Sequence, residues 1–455
     1  MSITTIDPST GSPIETYDWM TEAEVEERLR RAAAAFQRHR ASSFARRAAA
    51  LVRLADRLEE RTRPLAEVMT REMGKPIGQA EAEVTKCAWV CRYYAEHAAV
   101  FLAPEPVATE AAGSYIAYQP LGPILAIMPW NFPFWQVFRH AAPALMAGNV
   151  VLLKHAPNVT GCALVLESLF QEAGFDDGIF QVLLVDVDTV PALVEDPRVA
   201  AATLTGSVGA GRAVGKLAGQ AIKPSVLELG GSDAFIVLAD ADLDRALAAG
   251  LTSRMQNNGQ SCIAAKRFIL ERPIAEAFAE RFVRRVEALS VGDPMDPETD
   301  IGPLARADLR DQLHAQVQQT VAEGAALLTG GHPLDRPGFF YAPTVLGGVK
   351  PGMTPFREEL FGPVASLIVA DDADHAVALA NDVPFGLGGA VFTRNVERGE
   401  RLALRLEVGC AFVNEMVKSD PRLPFGGIKA SGYGRELGRA GLRAFVNVKT
   451  VWLGS

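Results

Sequence analysis

Hydrophobic residues recur at helical spacing through the first hundred residues. The pattern predicts four amphipathic helices, over residues 21–40, 44–61, 64–74 and 80–99. Thr21 and Glu24 form a capping-box pattern at the start of the first helix, and Gly74 stands where the third should end. The N-terminal region is therefore predicted to be helical.

After this region, short apolar runs alternate with helical patterns. Strands are predicted over residues 114–118, 124–128, 150–153, 179–185, 200–204, 235–238, 267–270 and 445–453. Further helices are predicted over residues 134–147, 243–255 and 274–289. Repeated strand–helix alternation is typical of parallel sheets covered by helices. The alternation resumes after residue 229, so two α/β units are expected.

Composition limits the classes of function. The chain has 455 residues, 49% hydrophobic and 22% charged, as expected of a globular protein, and its formal net charge is -9. An acidic balance disfavours nucleic-acid and anionic-membrane partners. The N-terminus shows no secretory pattern, and the apolar runs are too short to span a bilayer. Five irregularly spaced cysteines indicate reduced thiols, so a cytoplasmic protein is expected.

Three positions carry residue types suited to covalent catalysis. Cys262 follows a turn containing Gly259, where backbone N–H groups would stabilise a thiolate. Glu228 lies between two leucines before a glycine pair, and burial there would raise its pKa towards that of a general base. Asn131, in a segment bounded by two prolines, is a rigid amide suited to an oxyanion hole. Taken singly, each also fits a structural role.

Phosphate and metal motifs narrow the chemistry further. The glycine-rich residues 206–211 follow a predicted strand and open a helix, where free N–H groups can hold a pyrophosphate. The third glycine of a dinucleotide fingerprint falls at Gly215, one residue late, so that motif is not satisfied. The histidines lack metal-ligand spacing and no P-loop is present, so neither a metal centre nor a P-loop nucleotidase is expected.

In combination, these residues resemble the aldehyde dehydrogenase superfamily. The resemblance extends from near Asp7 to the C-terminus and rests on seven ordered motifs: Pro129-Trp130-Asn131-Phe132-Pro133, Lys154, Thr205-Gly206-Ser207, Leu227-Glu228-Leu229-Gly230-Gly231, Gly259-Gln260-Ser261-Cys262, Glu359-Leu360-Phe361-Gly362-Pro363 and Pro424-Phe425-Gly426-Gly427-Ile428-Lys429. It implies two Rossmann-like α/β domains with a small β oligomerisation flap. The implied division is a cofactor-binding domain (residues 1–103 and 121–230), a catalytic domain (231–435) and the flap (104–120 and 436–455).

The resemblance assigns roles to the three candidate residues. Cys262 would attack an aldehyde, and Asn131 with the Cys262 N–H would hold the oxyanion of the thiohemiacetal. Hydride loss to a nicotinamide would leave a thioester, hydrolysed by water that Glu228 activates. Glu228 disfavours a CoA-acylating relative, which usually lacks this base. A non-catalytic, crystallin-like binding protein is the alternative from another class.

The cofactor would be NADP or NAD. The implied cofactor-binding residues are Met128, Trp130, Lys154, Pro157, Gly206, Ser207, Gly211, Leu229, Glu359 and Phe361. Pro157 departs from the family pattern, because many NAD-preferring members have a glutamate at this position that binds the ribose hydroxyls. Without that carboxylate nothing there repels a 2′-phosphate, and Lys154 would attract one. NADP is therefore expected to be accepted.

The substrate residues point to an aldehyde that carries a carboxylate. The predicted set is Arg139, Gln256, Ser261 and Ser419. Arg139 stands where succinate-semialdehyde dehydrogenases of this family carry an arginine for the distal carboxylate, but Gln256 replaces their second arginine. Oxidation of succinate semialdehyde to succinate is the expected reaction. Glutarate semialdehyde, aliphatic or aromatic aldehydes are the alternatives, and a salt-bridge role is the alternative for Arg139.

Two further expectations follow from the resemblance. The flap implies a homodimer or homotetramer, through strand pairing along an exposed sheet edge. Some members carry a second cysteine two residues after the nucleophile, where the two thiols can form a disulfide. Ala264 occupies that position here, so no such local redox switch is expected.

Overall fold

Strands and helices alternate along most of the computed structural model, which describes residues 2–454. The α-helices are α1 Glu22–Arg40, α2 Phe44–Glu60, α3 Thr62–Met73, α4 Ile77–Phe101, α5 Trp135–Ala147, α6 Thr160–Glu172, α7 Val190–Glu195, α8 Val208–Gln220, α9 Leu243–Met255, α10 Arg272–Glu287, α11 Ala307–Ala322, α12 Thr354–Arg357, α13 Ala373–Asn381, α14 Val396–Ala403 and α15 Gly438–Arg443. Short 3₁₀ helices cover Pro157–Val159 and Gln256–Gly259. The predicted α/β class is confirmed.

The strands range from two to eight residues in length. They are β1 Ser2–Ile6, β2 Pro13–Asp18, β3 Glu105–Pro106, β4 Gly113–Pro120, β5 Pro123–Met128, β6 Val150–His155, β7 Phe180–Val182, β8 Ala201–Thr205, β9 Ser225–Glu228, β10 Asp233–Val237, β11 Ala265–Glu271, β12 Ala326–Thr329, β13 Thr344–Gly347, β14 Val364–Ala370, β15 Phe385–Gly386, β16 Gly388–Phe392, β17 Cys410–Val413, β18 Ile428–Lys429, β19 Gly432–Tyr433 and β20 Val446–Leu453.

The N-terminal helices begin and end close to the predicted positions. Thr21 and Glu24 form the capping box at the start of α1, and Gly74 ends α3 with a left-handed φ of 76°. The β1–β2 hairpin that precedes them was not predicted. Its second strand is almost entirely exposed, so the sequence lacks the apolar alternation that identifies a half-buried strand.

The first large sheet has the order β19-β9-β8-β5-β6-β7 within residues 2–454. Strands β5 to β9 are parallel, and the short β19 is antiparallel to β9. The chain runs outward from β5 through β6 to β7, and then returns to add β8 and β9 on the other side of β5. Such a reversal of strand order opens a crevice at the carboxyl ends of the central strands, where ligands bind in open α/β sheets.

The second large sheet, in the described part of the chain, has the order β12-β13-β14-β11-β10-β16-β17. Its strands are parallel except for β12 at one edge. A smaller antiparallel sheet joins the C-terminal β20 to β4 and β3. These sheets correspond to the two α/β units and the flap expected from the sequence; the residue boundaries of the three domains stay a prediction.

Candidate active site

The loop before Cys262 has an unusual backbone. Asn257, Asn258 and Gly259 are consecutive left-handed residues, with φ of 56°, 57° and 72°. The Asn258 side chain donates to two backbone carbonyls at 2.8 Å and accepts from the Gly302 N–H at 2.7 Å. A Cβ at Gly259 would lie 2.3 Å from the Gly362 carbonyl, so only glycine fits. The turn that carries Cys262 is therefore fixed from both sides.

The side chain of Asn131 is oriented towards this loop. Its Nδ2 donates to the Gln260 carbonyl at 3.0 Å, and its Oδ1 accepts from Gln136 Nε2 at 3.1 Å. Asn257 Nδ2 donates to the Asn131 carbonyl at 2.7 Å. Because Gln136 occupies the oxygen, the amide nitrogen faces the Cys262 loop. This placement before any substrate arrives is what an oxyanion-hole donor requires.

Two cations oppose the effect of burial on the Cys262 thiol. Burial raises the pKa of Cys262 to about 12, while the charges of Arg139 and Lys266 lower it. Lys266 Nζ also donates to the carbonyls of Ser261 and Cys262, at 2.8 and 2.7 Å, and lies 3.0 Å from Glu359 Oε1. Lys266 thus links the nucleophile's backbone to Glu359, a predicted cofactor-binding residue.

Glu228 ends β9 in a buried position with a second carboxylate nearby. Its side chain is 2% exposed, and neither oxygen has a hydrogen-bond partner among the described residues. Burial raises the pKa of Glu228 well above its ordinary value, and the charge of Glu436 raises it further. Glu436 forms a buried ion pair with Arg139. A Cβ at Gly426 would lie 2.5 Å from Glu228 Oε1. The backbone can therefore pass this close to Glu228 only because position 426 is a glycine.

The carboxyl end of the first sheet carries groups suited to binding a dinucleotide. Lys154 pairs in register with Ile127 near the ends of β6 and β5, is 5% exposed, and has no ion-pair partner within residues 2–454. Burial lowers its pKa, and the charge of Asp186 opposes this shift. Ser207 caps α8 by accepting from the Ala210 N–H, leaving the N–H groups of the first turn for an anion.

The other predicted cofactor residues line the same side of the sheet or the second domain's edge. Trp130 and Phe361 meet edge to face, with ring centroids 5.8 Å apart. Glu359 Oε1 accepts from the Gly231 N–H at 3.2 Å. Gly211 packs against Leu229, because a Cβ there would lie 2.5 Å from the leucine side chain. Met128 ends β5, and Pro157 is exposed at the start of its 3₁₀ helix.

A cavity of about 490 Å³ brings the predicted substrate residues to the nucleophile. Its walls include the predicted residues Arg139, Gln256, Ser261, Cys262 and Ser419. Glu228 and Asn131 are not among its lining residues. The four predicted substrate residues therefore share one cavity, although they lie 280 positions apart at the extremes (139 to 419).

Three charged residues near these groups were not found from the sequence. Lys86 lies on α4 and lines the cavity, Glu436 lies beside Glu228, and Lys266 lies behind Cys262. Lys86 and Glu436 stand far from the nucleophile in sequence, outside any motif that was recognised. Lys266 follows Cys262 by four positions in the chain. This short spacing was the one signal in the sequence that Lys266 lies beside the nucleophile.

No helix within residues 2–454 is long and apolar enough to cross a membrane. In the same range, no group of three or more His, Cys, Asp or Glu side chains could hold a metal ion. All five cysteines lie within the described residues, and each is a free thiol.

A switch-point crevice beside a fixed cysteine, an oriented amide and a buried carboxylate defines a dinucleotide-dependent dehydrogenase that works through a thiol. The chain belongs to the aldehyde dehydrogenase family, whose model matches residues 1–451. The shared features extend over nearly the whole chain, so the family assignment covers both α/β units and the flap.

Several relatives are similar over their full length. A probable succinate-semialdehyde dehydrogenase [NADP(+)] of Synechocystis sp. is 54% identical over 453 residues, covering 100% of both chains. The succinate semialdehyde dehydrogenase [NAD(P)+] Sad of Escherichia coli is 51% identical over 98% of this chain and 97% of its own. A crystal structure of succinic semialdehyde dehydrogenase from Streptococcus pyogenes with NADP+ has a TM-score of 0.98 and 37% identity, covering 100% of both chains.

Proposed function

We propose that the protein oxidises succinate semialdehyde to succinate with NADP or NAD as the cofactor. The observation that carries the proposal is the cavity in which Cys262 shares one volume with Arg139 and Ser419. A nucleophile and carboxylate-binding groups in one cavity suit an aldehyde with a carboxylate at its other end. The similarity to succinate-semialdehyde dehydrogenases of Synechocystis and E. coli supports the same substrate.

The side chains perform the reaction in two stages. The Cys262 thiol loses its proton to solvent water, and its sulfur bonds to the aldehyde carbon, while Asn131 Nδ2 donates to the developing oxyanion. A nicotinamide nucleotide held by Lys154, Ser207 and Glu359 would supply the acceptor for the hydride that the thiohemiacetal loses, and a thioester is then left on Cys262. Glu228 then takes a proton from water, whose oxygen attacks the thioester, and the C–S bond breaks to release the acid.

Lys154 and Pro157 support the use of NADP. Lys154 is a buried ammonium without an ion-pair partner among residues 2–454, and Pro157 supplies no carboxylate next to it. A 2′-phosphate would therefore gain the charge of Lys154, and Asp186, the acid that raises the pKa of this lysine, forms no ion pair with it among residues 2–454. The test is kcat/KM for both cofactors at one aldehyde concentration. A preference for NAD above about 100-fold, near 2.7 kcal/mol, would contradict the proposal.

An aldehyde panel tests the substrate. Succinate semialdehyde is expected to give the highest kcat/KM in a set that also contains glutarate semialdehyde, butanal, hexanal and benzaldehyde. Butanal is the matched control, because it has the same four carbons without the carboxylate. Equal kcat/KM for succinate semialdehyde and butanal would refute a carboxylate-specific site. A total lack of NAD(P)H formation across the panel would revive the non-catalytic alternative.

The remaining parts of the proposal concern assembly and location. β20 is an edge strand of the small sheet, and it exposes Val448 and Trp452. An exposed edge with apolar side chains supports association with a second copy, as a homodimer or homotetramer.

Free thiols at all five cysteines support a cytoplasmic location, where cysteines stay reduced.

A further inference from the structure

We propose that Lys86 supplies the positive charge that binds the distal carboxylate of the substrate. This inference rests on the function proposed above. The residue lies on α4, on the wall of the cavity that also contains Cys262. It would therefore determine specificity: it selects an aldehyde with an anionic end and takes no part in bond making or breaking.

Lys86 stands in a prepared polar cluster. Its Nζ donates to Ser419 Oγ at 2.8 Å and lies 4.3 Å from the ring centroid of Trp135. Trp135 Nε1 also donates to Ser419 Oγ, at 3.1 Å. Because this oxygen accepts twice, the Ser419 hydroxyl hydrogen is left over, and it has no acceptor within the described residues. An ammonium and a free O–H side by side are two donors for one carboxylate.

The charge of Lys86 is not balanced inside the protein. In the described chain it makes no ion pair. The two nearby acids are already engaged: Glu83 pairs with Lys75, and Asp420 pairs with Arg422 at 2.6 Å. Lys86 is half-buried, and a partly desolvated ammonium without a counterion is unfavourable, so a carboxylate that enters the cavity relieves the unfavourable charge.

Arg139, the cation that the sequence singled out, already has an acidic partner. It forms a buried ion pair with Glu436 and donates to Thr205 Oγ1 at 3.3 Å. Its guanidinium also stacks on the ring of Phe425, 4.7 Å from the centroid. Glu436 offsets part of the Arg139 charge, whereas no acid pairs with Lys86 in the described chain, so Lys86 adds a cation without a partner to the cavity wall.

The ionisation of Lys86 provides a second readout. Burial and the charge of Arg139 lower the pKa of Lys86 to about 8, while Cys87, Glu83 and Asp420 act in the opposite direction. Lys86 is thus mostly charged at neutral pH and loses its charge as pH rises through about 8. KM for succinate semialdehyde should rise above that pH, and KM for butanal should not.

The test compares Lys86→Met with Lys86→Arg at pH 7, with succinate semialdehyde and butanal as substrates. Lys86→Met keeps the length of the side chain and removes its charge. It should raise KM for succinate semialdehyde by about 10- to 100-fold, the range expected for a charged hydrogen bond, with little change in kcat. The kcat/KM for butanal should change by less than about threefold. Lys86→Arg should retain most of the selectivity and should abolish the rise in KM above pH 8.

Lys418→Met is the matched control. Lys418 also borders the cavity, but its side chain is half exposed and lies 3.4 Å from Glu415. This variant should change both aldehydes by similar small factors. Equal losses for both aldehydes in Lys86→Met would overturn the inference, because they would show that Lys86 only packs against Trp135. Unchanged selectivity in that variant would overturn it as well, even if the wild type prefers succinate semialdehyde. A wild type without that preference would instead refute the proposed function, and the inference with it.

If Lys86→Met does not fold, inhibition by the product decides. Succinate should inhibit the wild type and Lys86→Arg competitively against the aldehyde, at lower concentrations than butyrate does. Lys86→Gln, which keeps a polar end without charge, should lose this difference. Equal inhibition by succinate and butyrate in the wild type would count against a cation at this end of the cavity.

Discussion

At the scale of single residues, the site contains two buried carboxylates and one guanidinium. Glu228 and Glu436 have raised pKa values because of burial, and Arg139 opposes the shift in both. One cation cannot balance two buried anions, so each carboxylate favours its protonated form more than an exposed one would. Glu436 contacts Arg139 directly, and the raised pKa of Glu228 suits a group that takes a proton from water.

Glu228→Gln should therefore stop the second stage of the reaction. An amide cannot take a proton from water, so the thioester should accumulate on Cys262. We expect a burst of about one NADPH per active site, followed by a steady rate lowered by about 10²- to 10⁴-fold. Rapid mixing with absorbance at 340 nm gives the burst, and intact-protein mass spectrometry identifies the acyl adduct.

Cys262→Ala is the control for the burst, because it lacks the attacking sulfur and should show neither burst nor adduct. Steady turnover of Glu228→Gln at the wild-type rate would show that another group activates the water. The same data give the pH dependence. In the wild type the hydrolytic step should accelerate as pH rises through the raised pKa of Glu228, and this limb should vanish in the variant.

The sequence singled out the candidate catalytic residues more completely than the charged residues around them. Cys262, Glu228 and Asn131 stand in short motifs whose order along the chain identified them, and Asn131 and Cys262 now share one loop network. Lys86 and Glu436 carry no such local pattern. Their importance depends on which charges remain unpaired in the folded protein. Local residue spacing does not predict ion pairs between elements that are distant in sequence.

At the scale of elements, the Cys262 loop is held by the strand that follows it. Lys266 lies at the start of β11 and donates to the carbonyls of Ser261 and Cys262. Its charge lowers the pKa of the Cys262 thiol. Lys266→Met should thus move the pH profile of Cys262 alkylation by iodoacetamide to higher pH, because less thiolate forms at a given pH.

The measurement is the rate of Cys262 modification from pH 6 to 10, followed by peptide mass spectrometry. Lys266→Arg keeps the charge and should stay closer to the wild type. The other thiols serve as internal references, because Cys87, Cys91 and Cys162 are buried. An unchanged alkylation profile in Lys266→Met would mean that Lys266 serves only the backbone geometry of the loop.

A buried histidine joins two helices and makes stability depend on pH. His39 of α1 is 5% exposed, and its Nε2 lies 2.9 Å from the Leu145 carbonyl of α5. Burial lowers the pKa of His39 from 6.5 to about 4. Between pH 6.5 and 4 the unfolded chain therefore binds a proton at His39 that the folded protein does not bind. The contribution of His39 to the free energy of unfolding is complete above pH 6.5 and is lost as pH falls towards 4.

His39→Gln should remove this dependence. Between pH 7 and pH 5 the wild type should lose about 2 kcal/mol more stability than the variant, from one proton over the range below 6.5. Urea unfolding at the two pH values gives the difference. Only the difference between the two proteins is diagnostic, because raised pKa values at Glu228 and Asp233 act in the opposite direction in both. Parallel losses in the two proteins would contradict the assignment to His39.

Elements were predictable where burial imposes a period, and they were missed where it does not. The buried α5 and β6 were found within one or two residues of their ends. The exposed β2 and the two-residue β19 escaped, because neither buries an apolar face that repeats along the sequence. β19 pairs with β9, which lies some 200 positions away in the chain, and no local sequence pattern predicts this contact.

At the scale of the whole molecule, the flap offers an edge for assembly. Val448 and Trp452 lie on one face of β20 and are 62% and 49% exposed. Replacing both with lysine should weaken strand pairing and apolar contact between copies, because charged edge residues oppose association. Light scattering after gel filtration should then show a smaller mass than for the wild type.

Val396→Lys is a matched control, since Val396 is also 60% exposed but lies on α14, outside the flap. It should leave the mass unchanged. An unchanged mass for the double flap variant would place the contact between copies elsewhere.

The domain boundaries, which stay a prediction, can be examined in the same preparation by limited proteolysis near residues 104–120.

The left-handed turn before Cys262 also affects how the molecule ages. Asn258-Gly259 is a pair prone to deamidation, a reaction in which the glycine nitrogen attacks the asparagine side-chain carbonyl. In the folded protein that side chain is held by three hydrogen bonds, away from its own backbone. An unfolded chain has no such restraint, and an acid formed there could not re-enter a pocket built around two donated N–H bonds. Each unfolding event thus exposes Asn258 to irreversible deamidation. The active lifetime of the enzyme should therefore become longer when this turn opens less often.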